Sequence, residues 1–191
     1  MNPQYGSLED FNELVEQICQ RDMKDLIDIV FNHISADSLL SKEHAESFYK
    51  TAERSFGNRV GGWSDIVNLD NSHRKLWGYH IDTLKWWANL GIDGLRCDVA
   101  PLLPIEIWRR ARKELYAVKE NLIWLAESIH PKFIRYLRAK GMVTLSDSEL
   151  YQAFDVAYVY DVETLRQAYF GNKIDFQTYI ERKKIQDYTE P

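Results

Sequence analysis

Apolar residues recur along this chain at two spacings, and the alternation between them sets the first expectations. Leu8, Phe11, Leu14, Val15, Ile18 and Cys19 fall three and four apart behind Ser7, which forms a capping-box pattern with Asp10, so residues 8–20 are expected to be a helix. Leu26-Ile-Asp-Ile-Val-Phe31 follows as a short β-branched run ending in Asn32-His33, the pattern of a buried parallel strand. The two periods then repeat. A helix over 73–89 carries Trp77, Ile81, Leu84 and Trp87 on one stripe and stops at Gly91; a strand over 92–98, a helix over 105–118, a strand over 121–127 and a helix over 131–139 come next. A strand over 154–161 and helices over 162–170 and 175–186 complete the pattern. Only 34–70 breaks it, where Gly57, Gly61, Gly62 and Trp63 punctuate a polar stretch expected to be an irregular insertion; insertions of that length are usually functional.

Alternating strands and helices imply an α/β fold of parallel strands with right-handed crossovers. No fixed-period repeat or low-complexity linker divides the sequence, so 1–191 reads as one domain with 34–70 inserted after its first strand. Three strands end in polar groups: Asn32 and His33, Arg96 and Asp98, and Glu127. In β/α barrels catalytic residues converge at that end, although 191 residues is short of the ~250 of a complete barrel.

Charge and composition narrow the partners. The net charge of −5 and the interleaving of basic residues with acids on helix-like stretches, as at Arg109, Arg110, Arg112 and Lys113, give no nucleic-acid signature. No run approaches membrane-spanning length and the first residues lack a leader pattern, so no membrane partner and a cytoplasmic location are the default expectations. Cys19 and Cys97 show no metal-ligand spacing and are expected to be buried free thiols.

Asp98 and Glu127 stand at the ends of consecutive strands, where they can flank one site. A pair of carboxylates suits retaining glycoside hydrolysis, in which one attacks the anomeric carbon and the other, in a less polar setting, donates and then removes a proton. Arg96 shares a strand face with Asp98 and can hold it ionised. Taken singly, each residue has a plainer reading: a structural ion pair for Arg96 and Asp98, a strand-end acid for Glu127, a turn residue for Asn32, a satisfied histidine for His33. Asp28, inside an apolar run, is costly unless paired.

Together, Asp28-Ile-Val-Phe-Asn32-His33, Gly94-Leu-Arg96-Cys-Asp98 and the Glu127 of Ile-Trp-Leu-Ala-Glu resemble the first three of four motifs of the α-amylase family of retaining glycoside hydrolases. Pro3-Gln-Tyr-Gly-Ser-Leu-Glu-Asp-Phe11, Trp63-Ser-Asp65 and Ala126-Glu-Ser-Ile-His-Pro131 are similar to it too, so the resemblance covers nearly the whole chain. It implies an incomplete β/α (TIM) barrel, about the third to sixth units, with 34–70 as a short inserted domain. It implies Asp98 as nucleophile, Glu127 as acid/base, Arg96 as the orienter of Asp98 and His33 as a sugar contact. The implied substrate is an α-glucan or maltooligosaccharide, with no cofactor required. Asn32 matches the family's calcium-ligand position, whereas the lysine-histidine pair that often follows the nucleophile motif is replaced by Val99-Ala-Pro-Leu.

The departures from the family carry their own expectations. Its fourth motif falls beyond Pro191 and its first two strands before Met1. Groups that bind a transition state are commonly worth ~10²-fold or more each. An inactive truncated remnant, sugar-binding or structural, is therefore the second reading, and open sheet edges would favour self-association. Asp22 stands where the family has the glycine that ends the first helix, and Asp25 adds an acid where the strand begins. Either costs ~1 kcal/mol or more if strained or desolvated.

Overall fold

The computed structural model describes residues 3–59, 65–158 and 160–184. Helix α1 (Leu8–Cys19) begins as its sequence signals, with the Asp10 N–H donating to Ser7 Oγ at 3.2 Å and the Ser7 N–H donating to Asp10 Oδ2 at 2.7 Å. Beyond its end Asp22 takes a left-handed backbone, φ 57°, and the Met23 N–H bonds back to the Ile18 carbonyl at 3.2 Å. That conformation costs a side-chain-bearing residue roughly 1–2 kcal/mol, while glycine loses roughly 0.5–1 kcal/mol through its freer unfolded chain. Asp22→Gly is therefore expected to gain about 0.5 kcal/mol in urea unfolding; a loss would show that the Asp22 carboxylate supports the turn. Cys19 is exposed, contrary to the expectation of two buried thiols, because α1 lies at the rim with none of its residues fully buried; Cys97 is buried as expected.

Four strands, β1 (Leu26–Ile29), β4 (Gly94–Cys97), β5 (Ile123–Ala126) and β6 (Val156–Ala157), form one parallel sheet in the order β1-β4-β5-β6. Between β1 and β4 the chain makes β2 (His33–Ser35), α2 (Leu39–Glu43), β3 (Ile66–Asn68) and α3 (Arg74–Asn89). Helices α4 (Ile105–Tyr116), α5 (Pro131–Ala139) and α6 (Asp147–Leu150) link the later strands, and α7 (Tyr160–Phe170) and α8 (Phe176–Lys184) follow.

One face of the sheet is closed. Ile29, Leu95, Cys97, Trp124, Ala126 and Ala157 pack in one core with Trp77, Ile81, Leu84 and Ala88 of α3 and Ile107, Trp108, Ala111 and Leu115 of α4. Trp108 is wholly buried and still donates its indole N–H to the Ala100 carbonyl at 3.1 Å, which meets the requirement that buried polar groups be bonded. His80 of α3 stacks on Phe31 with ring centroids 3.9 Å apart, and burial pushes its imidazole down to about 3, so it stays neutral. The other face carries the aligned rows Leu26, Gly94 and Ile123, then Asp28, Arg96, Leu125 and Val156. Leu26 and Val156 at its edges are 39% and 49% exposed, unlike the usual two-sided burial of parallel strands.

Three expectations change. Strand β1 stops at Ile29, and His33 opens β2 instead of ending β1, because the chain leaves the ladder after Ile29 and bends at Asn32. The insertion is not irregular throughout: β2 pairs antiparallel with β3, and Leu40, Phe48, Val67, Leu69 and Leu76 give it a small core. The expected strand over 154–161 shrinks to β6, since Asp155 Oδ2 takes the Trp124 N–H at 2.9 Å before the ladder starts and Tyr160 already begins α7. Gly61, Gly62, Trp63 and Ser64, Val159, and the end of the helix expected over 175–186 lie outside the described residues.

At the opposite end of the strands Asp25 is not a loose acid. Its Oδ1 accepts the Asp93 N–H at 3.0 Å, and Asp93 Oδ1 meets Lys24 Nζ at 3.0 Å and Lys119 Nζ at 3.6 Å. Burial pushes the Asp25 carboxyl up, while for Asp93 the Lys24 and Asp25 hydrogen bonds and the Lys119 charge outweigh burial and hold it down.

Candidate active site

Asp98 and Glu127 each sit one residue past a strand, and the ladder fixes their heights. The Asp98 N–H donates to the Ile29 carbonyl at 2.8 Å and the Glu127 N–H to the Cys97 carbonyl at 2.9 Å, so the two acids stand side by side at the carboxyl ends of β4 and β5. Arg96, two residues before Asp98 on the open face, gathers the charges. Its Nη1 lies 2.7 Å from both Asp28 Oδ1 and Asp98 Oδ1, and its Nη2 lies 2.7 Å from Glu127 Oε2. Burial works against the guanidinium's charge, but hydrogen bonds to Asp28, Tyr158 and Asp98 and the charge of Glu127 outweigh it and raise its pKa.

Glu127 is raised from the ordinary carboxylate range. Burial is the largest cause, and the neighbouring Asp98 carboxylate adds to it, against the opposing Val99 N–H and Arg96 charge. Its two oxygens differ. Oε2 accepts from Arg96 and from the Val99 N–H at 3.0 Å; Oε1 meets Tyr160 Oη at 3.5 Å. Val99 reaches Glu127 from a left-handed backbone, φ 38° and ψ 44°, an unusual conformation for a β-branched residue and of the kind that clusters at functional sites. The buried cluster of Val99, Ile129, Ile134 and Leu137 holds it there.

The structure also brings His33 to Asp98, with Nε2 3.8 Å from Asp98 Oδ2, while Asn32 Nδ2 lies 3.3 Å from His33 Nδ1. An amide N–H donated to Nδ1 leaves the ring proton on Nε2, facing Asp98. Asp28, expected as a buried strand acid, is 57% exposed at its side chain and paired with Arg96, which answers the desolvation problem. Tyr158 and Tyr160 were not singled out by sequence. Arg96 lies 5.7 Å from the Tyr158 ring centre, and the two tyrosine rings meet edge-on at 5.9 Å. Their only sequence signal, aromatics alternating over 154–161, reads as a strand.

A family model described as "Alpha amylase, catalytic domain" matches residues 1–59. Over its whole length the chain is 46% identical to an α-amylase from Lactobacillus plantarum and overlays its crystal structure with a TM-score of 0.90, covering 100% of this chain and 45% of that one. The chain belongs to the α-amylase family. A maltogenic α-amylase from Thermotoga neapolitana is 33% identical with a TM-score of 0.74, over 97% of this chain and 40% of that one. An intracellular maltogenic amylase from Bacillus subtilis is 28% identical over 145 residues, 68% of this chain and 24% of that protein. The chain thus spans less than half the length of these relatives, and its four-stranded parallel sheet is part of the α-amylase catalytic barrel.

In this α-amylase-family chain the surroundings of Asn32 do not fit calcium, which takes six to eight oxygen ligands with carboxylates among them. The Asn32 carbonyl accepts from the Asn68 side chain at 3.2 Å and from the Leu69 N–H at 3.0 Å. Asn68 Oδ1 accepts the Arg59 N–H at 2.6 Å, and Asn71 Nδ2 donates to the Phe31 carbonyl at 3.0 Å. The adjoining cavity of about 520 Å³ is lined by these amides with Arg59 and Lys140, and among the described residues no group of three or more His, Cys, Asp or Glu could hold a metal ion. The Asn68 and Asn71 side-chain amides and the Leu69 N–H tie their segment to the end of β1, beside Asn32 and His33.

Proposed function

We propose that Asp98 and Glu127 are the nucleophile and the acid/base of a retaining enzyme acting on α-glucosidic bonds of maltooligosaccharides or starch-like glucans, on strands corresponding to the third to sixth of the barrel. The observation that carries this reading is Arg96 bound at 2.7 Å to both acids at adjacent strand ends. Asp98 attacks the anomeric carbon while Glu127 gives its proton to the departing oxygen; Glu127 then takes a proton from water, whose oxygen displaces Asp98 from the sugar. Arg96 and His33 direct Asp98, and Glu127's raised pKa lets it hold the proton it must donate. Hydrolysis and transfer to another sugar differ only in the acceptor of the second step.

The exposed inner face, with Asp28 57% exposed, favours the second reading, a sugar-binding or structural chain without turnover. One assay separates the two. If the acids act as proposed, release of chromophore from a nitrophenyl maltooligosaccharide falls by on the order of 10³-fold or more in both Asp98→Asn and Glu127→Gln. Equal rates in all three proteins give the second reading.

A further inference from the structure

Glu127 is held unevenly, and the unevenness assigns its chemistry atom by atom. Oε2 has two donors, Arg96 Nη2 at 2.7 Å and the Val99 N–H at 3.0 Å, the second delivered by a strained turn that buried side chains keep in place. Such an oxygen is the anionic end of a carboxyl group and a poor place for a proton. Oε1 has one donor among the described residues, Tyr160 Oη at 3.5 Å, and the Asp98 carboxylate, itself an acceptor, lies within hydrogen-bond reach of the Glu127 carboxyl.

We propose that Glu127 carries its transferable proton on Oε1 and that Tyr160 is a positioning residue that aims this oxygen, an inference that rests on the acid/base role proposed above. In the first step the Oε1–H bond breaks toward the glycosidic oxygen as the C–O bond opens, leaving Glu127 as a carboxylate. Tyr160 then donates to the emptied Oε1, which holds the side chain in place until it takes a proton back from water. The contact is long in the free protein, as catalytic hydrogen bonds often are before substrate tightens them. Tyr160 stands at the start of α7, three residues past the end of β6, and is 40% exposed, so the hydroxyl reaches the site from its rim. Among the described residues, the charged or titratable groups around the acid pair besides Tyr160 are Arg96, Asp28, His33 and Tyr158.

The test needs no turnover, so it can fail while the glycosidase reading stands, and the reverse. Glutamate side chains are labelled with ¹³C at the carboxyl carbon, and Glu127 is assigned by its loss in Glu127→Gln and titrated in the full chain. A donor that prefers the anion lowers the proton affinity, so Tyr160→Phe is expected to raise the pKa of Glu127, tightening its hold on the proton about threefold to tenfold. Tyr151→Phe, a hydroxyl on an exposed ring in another part of the chain, is expected to leave it unchanged. A Glu127 titration unmoved or shifted downward in Tyr160→Phe overturns the proposal. A reciprocal measurement covers the case in which that variant does not fold: burial first, and then the Glu127 charge, raises the Tyr160 phenol. Glu127→Gln should lower its pKa, read from a ¹³Cζ-tyrosine label, and no change there also overturns the proposal.

Discussion

Alanine at Gly94 is expected to lower the unfolding free energy by about 2–3 kcal/mol. A Cβ at this position would stand 2.8 Å from the Ile123 carbonyl oxygen and 2.9 Å from both Ile123 Cβ and Leu26 Cγ, closer than real Cβ atoms come. Gly94 is paired on both sides, with Leu26 of β1 and Ile123 of β5, so the two strands that would have to move are held by their ladders at a spacing near 4.8 Å. Relief requires the strands to part beneath the row that carries Asp28 and Arg96. Gly78, on α3, is the control: a Cβ there meets nothing within 4 Å, and Gly78→Ala is expected to gain up to about 1 kcal/mol of helix propensity. Urea unfolding of the two variants checks both signs. A Gly94→Ala variant as stable as the parent would mean that the sheet yields more easily than its two ladders imply.

Gly94 also shows what could be read from sequence and what could not. The pattern Gly-Leu-Arg-Cys-Asp announced a strand end with an arginine serving an acid, because side chains two apart share a face whatever lies beside them. It did not announce that the glycine is required by its neighbours, since that depends on Leu26 and Ile123 being brought to the same height by register. The same distinction runs through the site. Asp98, Glu127 and Arg96 were legible because each terminates or precedes an apolar run, and the left-handed turn at Asp22 because a helix must end in some such conformation. Tyr160 was not, because a tyrosine beside alternating apolar residues looks like another strand position until Asp155 delays the ladder. Nor was Val99, whose part is played by its backbone N–H and whose side chain only anchors the turn. The amide network around Asn32 was hidden for a third reason: Asn68 and Asn71 lie far along the chain, and only the pairing of β2 with β3 returns them to the strand end.

Loss of the Arg96 guanidinium is the other change of large expected effect. In Arg96→Gln three carboxylates lose their common cation, and Asp98 and Glu127, both 18% exposed at the side chain, remain beside each other. Breaking a fully buried pair costs roughly 3–5 kcal/mol; with Asp28 more than half exposed and screened by water, about 2–3 kcal/mol at pH 7 is expected here. The pH dependence identifies the cause. Glu127 is already raised by burial and by Asp98, and removing the opposing charge raises it further. A carboxyl whose folded pKa lies above its unfolded value contributes stability that is present below the unfolded pKa and lost as pH rises through the folded one. The deficit of Arg96→Gln should therefore shrink as pH falls from 7 toward the ordinary carboxylate range, because Glu127, held above that range, takes up its proton first and the repulsion ends. Neutralising the acid by mutation should do the same, so Arg96→Gln is expected to cost less in a Glu127→Gln background than in the parent, a coupling that a double-mutant cycle in urea measures directly. A deficit that is constant with pH, or additive with Glu127→Gln, would show that Arg96 acts through the packing of its stem and not as the charge that lets two acids share one site.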